Sequence, residues 1–172
     1  MAVSMYTISA PIFVQILSAL SNVVDKAKTH CQTKKLDESF FLNNRLYPDM
    51  FPFVRQVRSA CDHAVTACAR ISGTEAPTFA NDENSFEDLK ARIAAAVAFV
   101  KTIKPQQMDG QEDKEIVFTL PSGERRFTGQ TMLLNFTLPN FYFHATTAYD
   151  LLRHCGVEIG KRYFMGTPWK PE

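Results

Sequence analysis

The chain lacks most of the residues and patterns that announce specialised chemistry. Its 172 residues include four cysteines, none in a CxxC pair, so neither a thioredoxin-like redox centre nor a zinc ribbon is encoded. Cys31, Cys61, Cys68 and Cys155 fall within or at the ends of helical patterns and read as small core hydrophobes in a reducing compartment. Charge of one sign is missing too. Lys and Arg number 19 against 18 Asp and Glu, leaving +1 with His neutral, and no basic block exceeds a pair such as Lys34-Lys35. That balance argues against nucleic acid or an anionic membrane surface as partner. Every apolar run is interrupted by polar residues well before the ~20 positions that a transmembrane helix needs. Met1 to Leu20 has no basic n-region and no small-residue cleavage site, so a secretory signal is not expected and cytoplasm is the expected compartment. Nucleophile elbow, phosphate loop, dinucleotide fingerprint and HExxH are absent as well.

Helical periodicity is abundant. A first long helix is predicted from Ala10 to Thr33, with Pro11 in its first turn and a stripe of Ile16, Leu20, Val23, Val24, Ala27 and Cys31. Asp37 is placed to cap a short helical turn before Glu38 and Phe40. The second long helix is predicted over Asp49 to Ser72. Pro52 is tolerable in its first turn, Val57, Ala60, Ala64, Cys68 and Ile71 form its stripe, and Gly73 stops it. A loop with Pro77 and Asn81-Asp82-Glu83-Asn84 follows, then a near capping box at Ser85 and Asp88. The third helix carries Phe86, Leu89, Ile93, Ala96, Val97, Val100 and Ile103 until Pro105 ends it, and its Ala94-Ala95-Ala96 run suits close helix packing.

One strand signal breaks the helical pattern. Ile116 to Leu120, Pro121-Ser122-Gly123 and Glu124 to Thr128 read as a hairpin that must lie against the bundle, being marginal alone. Thr128 can cap Gly129 to Leu138, after which Pro139 kinks or restarts a helix that Gly156 stops. The tail, with Tyr163, Phe164 and Trp169, is expected to pack back on the domain or across to a second copy. Four long amphipathic helices facing one core describe an all-α four-helix bundle, with a short extra helix and a small β-hairpin before the last long helix. Residues 1–172 are expected to form one domain.

The last helix carries the candidate site. Asn140, His144, Thr147, Leu151 and Cys155 recur at four, three, four and four residues and so share one inward face. An unpaired buried polar group costs about 1–3 kcal/mol, so Asn140 and His144 need partners there. Phe141, Tyr142 and Phe143 suggest an aromatic wall around them, and an apolar pocket with few polar groups is the usual shape of a ligand site. His144 in such a pocket can act as general base or metal ligand, its tautomer set by its second partner. His63 lies seven residues after Gln56, within reach of the same groove, but Asp62-His63 reads as a partly exposed pair. His30 and His154 sit where a cation complements a helix C-terminus. Arg125-Arg126 reads as a solvated strand edge. Cys155, roughly 16 Å from His144 along the helix, is too far to form a nucleophile–base pair with it.

Ser4-Met5-Tyr6-Thr7-Ile8, Tyr47-Pro48-Asp49-Met50-Phe51-Pro52 with Gln56-Val57, and Leu138-Pro139-Asn140-Phe141-Tyr142-Phe143-His144 together resemble an uncharacterised branch of the DinB/YfiT-like superfamily. The resemblance runs from about residue 5 to 166. It implies a four-helix bundle, often a homodimer, with a divalent-metal pocket at one end. In metal-binding members one histidine on the second helix and two at i and i+4 on the last long helix hold the ion. Thiol-cofactor-dependent transferases and isomerases are among the known activities.

Carried over residue by residue, the second histidine of the pair matches His144, the first falls on Asn140, and the helix-two histidine falls near Gln56. Amide oxygens replace imidazole nitrogens poorly for Zn, Ni, Cu or Fe, and the divalent metals to consider are Zn, Ni and Mn. Asp49, seven residues before Gln56 on the predicted helix, can supply the missing charge. Alternatively, Asp49, Gln56, Asn140 and His144 form a metal-free hydrogen-bonded network at the bundle end. The leading expectation is a degenerate metal-site pocket that binds a small ligand without a strongly held metal, with Tyr142 beside it. The alternative is a divalent-metal-dependent transferase or isomerase acting on a small, partly apolar substrate.

Overall fold

Two prolines decide where the second long helix begins. Tyr47 precedes Pro48 and Phe51 precedes Pro52, and a residue before proline is driven from the helical region to extended backbone. In the computed structural model, which describes residues 3–120 and 123–171, that helix therefore starts at Phe53 with Pro52 extended as its N-cap (ψ 162). Asp49 is thereby corrected. It lies in an exposed turn before the helix and shares no helical face with Gln56.

The elements are α1 (Ala10–Lys34), α2 (Glu38–Asn43), α3 (Phe53–Ser72), α4 (Phe86–Thr102), α5 (Pro105–Met108), β1 (Glu115–Leu120), β2 (Gly123–Thr128), α6 (Gly129–Thr131), a π-helical segment (Met132–Thr137), α7 (Leu138–His154) and α8 (Lys161–Met165). The expected caps form: Asp37 accepts from the Ser39 amide, Ser85 from the Asp88 amide and Thr128 from the Thr131 amide. The Asn84 amide in turn donates to Asp88 Oδ2 at 3.1 Å, one residue before the position a full capping box would use. Pro105 begins a short helix as well as following α4. Of the Ala94-Ala95-Ala96 run only Ala96 is buried, so close packing falls to one alanine.

Helix α3 packs on α7 and α4, and α1 packs on α4, closing a four-helix bundle. Its centre holds Phe13, Phe53, Phe86 and Phe141, all fully buried, with Phe13 edge-on to Phe141 at 4.8 Å. The tail packs back on its own chain. Helix α8 lies along α1, and Gln15 Nε2 donates to the Met165 carbonyl at 2.8 Å. Gly166, with φ +60, closes this contact because a Cβ there would stand 2.8 Å from Ala19 Cβ. No helix among the described residues is long and apolar enough to cross a membrane.

The antiparallel hairpin pairs Glu115 with Thr128 and Val117 with Arg126, while Pro121 and Ser122 of its expected turn lie outside the described residues. Phe118 and Phe127 meet Phe136 of the π-helical segment at 5.6 and 5.5 Å. Arg70 of α3 lies over Phe118 and donates to the Val117 carbonyl at 2.8 Å. Arg126 bridges Glu115 and Glu124 on the exposed face.

A buried ion network fastens the 73–85 loop to α3 and α4. Arg92, 4% exposed, donates to Asp62 at 2.5 Å and to Glu83 at 2.6 Å, with its guanidinium over Phe79. Arg58 pairs with the Glu83 carboxylate and donates to the Glu83 carbonyl at 2.8 Å. Burial by itself would raise the Glu83 pKa, but the bond from Arg92 and the two guanidinium charges outweigh it and hold the pKa below the ordinary Glu value. Every ionised group here has a partner, which is the condition for tolerating buried charge.

Candidate functional site

Pro139 shapes the approach to His144. A proline cannot donate to the carbonyl four residues back, and its ring crowds that carbonyl. The chain responds with a wide turn over Met132–Thr137, in which the Leu138 amide donates to Leu133, five residues back. Asn140 then serves the backbone. Its Nδ2 donates to the Phe136 carbonyl at 2.7 Å, so its amide braces the π-helical turn and does not bond to His144.

His144 finds its partner across the bundle. Its Nδ1 stands 2.7 Å from Gln56 Oε1, 88 residues away in sequence. Gln56 Nε2 donates to the Phe51 carbonyl at 3.0 Å. A carbonyl can only accept, so this bond fixes the orientation of the Gln56 amide, and Oε1 must face the imidazole. Oε1 also only accepts, so Nδ1 carries the proton and Nε2 holds the lone pair. Phe51, Gln56 and His144 thus form a relay that fixes one tautomer. Nε2 makes no hydrogen bond among the described residues.

The ring is enclosed by aromatics. Phe51 stacks on one neighbouring plane at 6.1 Å and 5°, His63 stacks at 5.6 Å and 14°, and Phe143 meets the ring edge-on at 5.3 Å. Phe136 closes the far side of His63 at 5.6 Å. His144 is 8% exposed. Burial, then the neighbouring His63 and Arg55, press its pKa down to about 4 against a smaller opposing effect of Asp62, so the imidazole is neutral at pH 7. Burial lowers the pKa of His63 as well.

The expected residues therefore separate. Gln56 and His144 meet, Asn140 braces the backbone next to them, and Asp49 stands exposed in the 44–52 turn. Tyr142 lies two residues and so about 200° round the helix from His144, packed edge-on against Phe141 at 5.6 Å. Phe141 belongs to the core. The aromatic wall is thus Phe51, His63, Phe136 and Phe143, with Phe143 its only member from the expected set. His63 carried a visible signal, its seven-residue spacing from Gln56, but its stacking on His144 needed the fold. Phe51 lies before the helix, where periodicity gives no direction.

The thiols offer no alternative centre. Burial pushes Cys61 and Cys68 up to about 12, leaving them protonated and unreactive at neutral pH. Cys155 accepts a bond from Asn44 Nδ2 at 2.7 Å. Among the described residues no group of three or more His, Cys, Asp or Glu side chains is placed to hold a metal ion.

The bundle, its hairpin and its wide turn before the last helix define a DinB-like protein. A solved structure of a DinB family member from Shewanella denitrificans superposes with a TM-score of 0.86 at 33% identity, covering 97% of this chain and 95% of that one. The chain belongs to the DinB family, in the branch described as a domain of unknown function (DUF1993), whose family model matches residues 5–165. No curated protein matches the chain.

Proposed function

We propose that this chain binds a small, partly apolar ligand at the His144 end of the bundle and does so without a strongly held metal. The observation that supports this most is the Phe51–Gln56–His144 relay. It engages both ends of the Gln56 amide and Nδ1 of His144, leaving Nε2 as the one uncommitted acceptor in an apolar frame. The resemblance to metal-binding relatives calls for three imidazoles, and the residues here do not fit that ion. Of the matched positions only His144 keeps its imidazole, and the neighbouring His63 lies face to face with that ring at 5.6 Å and 14°, so that the in-plane lone pairs do not converge. Asn140 is bonded to backbone, and Gln56 would have to leave the relay to ligate.

The same electrostatics favours binding over acid–base chemistry. An imidazole that protonates only near pH 4 accepts a hydrogen bond well at pH 7 but is a weak general base, because efficient bases titrate near the working pH. His144 is thus an acceptor for a ligand N–H or O–H, held in place by Gln56. We retain a homodimer and a cytoplasmic setting as part of the proposal. The first rests on the resemblance, the second on four free thiols, and light scattering checks the first.

The test is the metal content of untagged protein by inductively coupled plasma mass spectrometry, beside His144→Ala. Metal-free protein whose melting temperature ignores added Zn, Ni or Mn is expected. Near-stoichiometric metal that disappears in His144→Ala would overturn this reading in favour of a divalent-metal-dependent transferase or isomerase.

A further inference from the structure

A second opening lies beside the His144 stack. A cleft of about 400 Å³ between α3 and the 73–85 loop is lined by Arg55, Arg58, Ser59, Asp62 and Asn81. Arg58 and, behind it, Arg92 are compensated by Glu83 and Asp62. Arg55 has no ion pair and no side-chain hydrogen bond among the described residues, although it is exposed at the rim. Its guanidinium instead rests 3.6 Å from the centroid of Phe51. Such stacking uses the flat face of the guanidinium and leaves its in-plane N–H donors free. Three guanidinium groups therefore face two carboxylates, and one positive charge is left over at a pre-ordered fork. Phe51 also stacks on His144, so Arg55 and the His144 ring share one aromatic plate.

We propose that this cleft is the carboxylate end of the His144 ligand site. A monoanionic carboxylate sits on the Arg55 fork, with the Ser59 hydroxyl and Asn81 amide as further donors in the same cleft. The apolar body of the ligand lies along Phe51 toward Nε2 of His144. This deepens the ligand-binding reading above and rests on it. Charge selects carboxylate over phosphate. The side chain of Asp62 is 49% exposed on the same cleft, and a dianion would exceed the single uncompensated positive charge while facing that carboxylate. The planar guanidinium fork also matches a carboxylate in two parallel bonds.

The probe is 4-fluorobenzoate, titrated into the full chain and followed by fluorine NMR together with the ring protons of His144. Neutral 4-fluorobenzamide and inorganic phosphate are run alongside. Saturable binding of the benzoate in the millimolar range or tighter is expected, with a shift at His144 and about tenfold weaker binding of the benzamide. Arg55→Gln is expected to weaken the benzoate about tenfold and Arg55→Lys less, both with unchanged melting temperature, since Arg55 is exposed. Absence of benzoate binding, equal affinity for the benzamide, tighter binding of phosphate, or an unchanged affinity in Arg55→Gln would each overturn the inference. Should both aromatic probes shift His144 irrespective of Arg55, the inference fails while the His144 pocket stands. Should Arg55-dependent binding leave the His144 protons unmoved, the shared ligand is refuted and the pocket reading loses its ligand.

Discussion

Two polar clusters reach α3 within two turns of each other, and they solve the same problem in opposite ways. The Arg58–Asp62–Glu83–Arg92 network is charged and mutually paired. The Gln56–His144 relay is neutral and stops one bond short, with Nε2 left over. A closed network of ions serves to hold a loop in one place, since removing any member strands a charge. An open relay in an aromatic frame orients one acceptor that has no partner among the described residues, and the proposed ligand site rests on that acceptor. Burial alone therefore does not distinguish the two regions; the first is held by paired charges, although Arg92 Nε makes no hydrogen bond, and the second by neutral hydrogen bonds.

Breaking the closed network should have the largest effect. Arg92→Ala leaves Glu83 buried beside a single cation and is expected to cost about 3–5 kcal/mol in denaturant unfolding. The His144 ring resonances should barely move. A cost below about 1 kcal/mol would show that the network does not hold the 73–85 loop.

Acid separates the two regions by pH window. His144 stays neutral in the fold down to about pH 4, whereas the unfolded imidazole takes a proton near 6.5. Stability from this group is fully present above 6.5 and declines as pH falls, until about pH 4. At 1.36 kcal/mol per pH unit across this window the loss is roughly 3–3.5 kcal/mol. Glu83 has a lowered folded pKa, so its contribution persists to lower pH and is lost only below the ordinary Glu value of 4.5. His144→Gln should flatten the first limb except for the share of His63, and Arg92→Ala only the second. Equilibrium unfolding across the pH range checks both.

Smaller effects sharpen the account of the relay. Gln56→Leu strands the Phe51 carbonyl and His144 Nδ1, at about 1–3 kcal/mol, and nitrogen NMR should show that the proton is no longer fixed on Nδ1. Asn140→Ala removes only the brace on Phe136, at about 1 kcal/mol, with ligand binding retained. Asp49→Ala should stay within about 0.5 kcal/mol and change neither binding nor metal uptake, because the side chain is exposed before α3.

Much of the fold was legible because helices write themselves locally. The stripes, the caps at Asp37, Ser85 and Thr128, and the stop at Gly73 all depend on neighbours within a few residues. The start of α3 lies later than periodicity suggests, because Pro52 biases Phe51 away from the helical region and itself stands extended as the N-cap. Asp49 thereby leaves the helical face of Gln56 and stands exposed in the preceding turn. Asn140 shares the helical face of His144, yet its amide bonds to the Phe136 carbonyl in the wide turn before Pro139. Tyr142 adjoins Phe143 in sequence but not on the helix surface, where adjacent residues point about 100° apart.

Composition and periodicity by themselves determined that this chain is a helical bundle with a hairpin before its last long helix, and that His144, unlike Gln56, which only the family resemblance marks, is a polar residue on an inward face. Those facts follow from backbone propensity and side-chain spacing, which act over one or two turns. Tertiary structure alone decided that the two meet, that Phe51 and His63 enclose the imidazole, and that Arg55 is left without an acid. Each of those contacts joins separate elements or depends on which charges lie near, and no local period of the sequence carries that information.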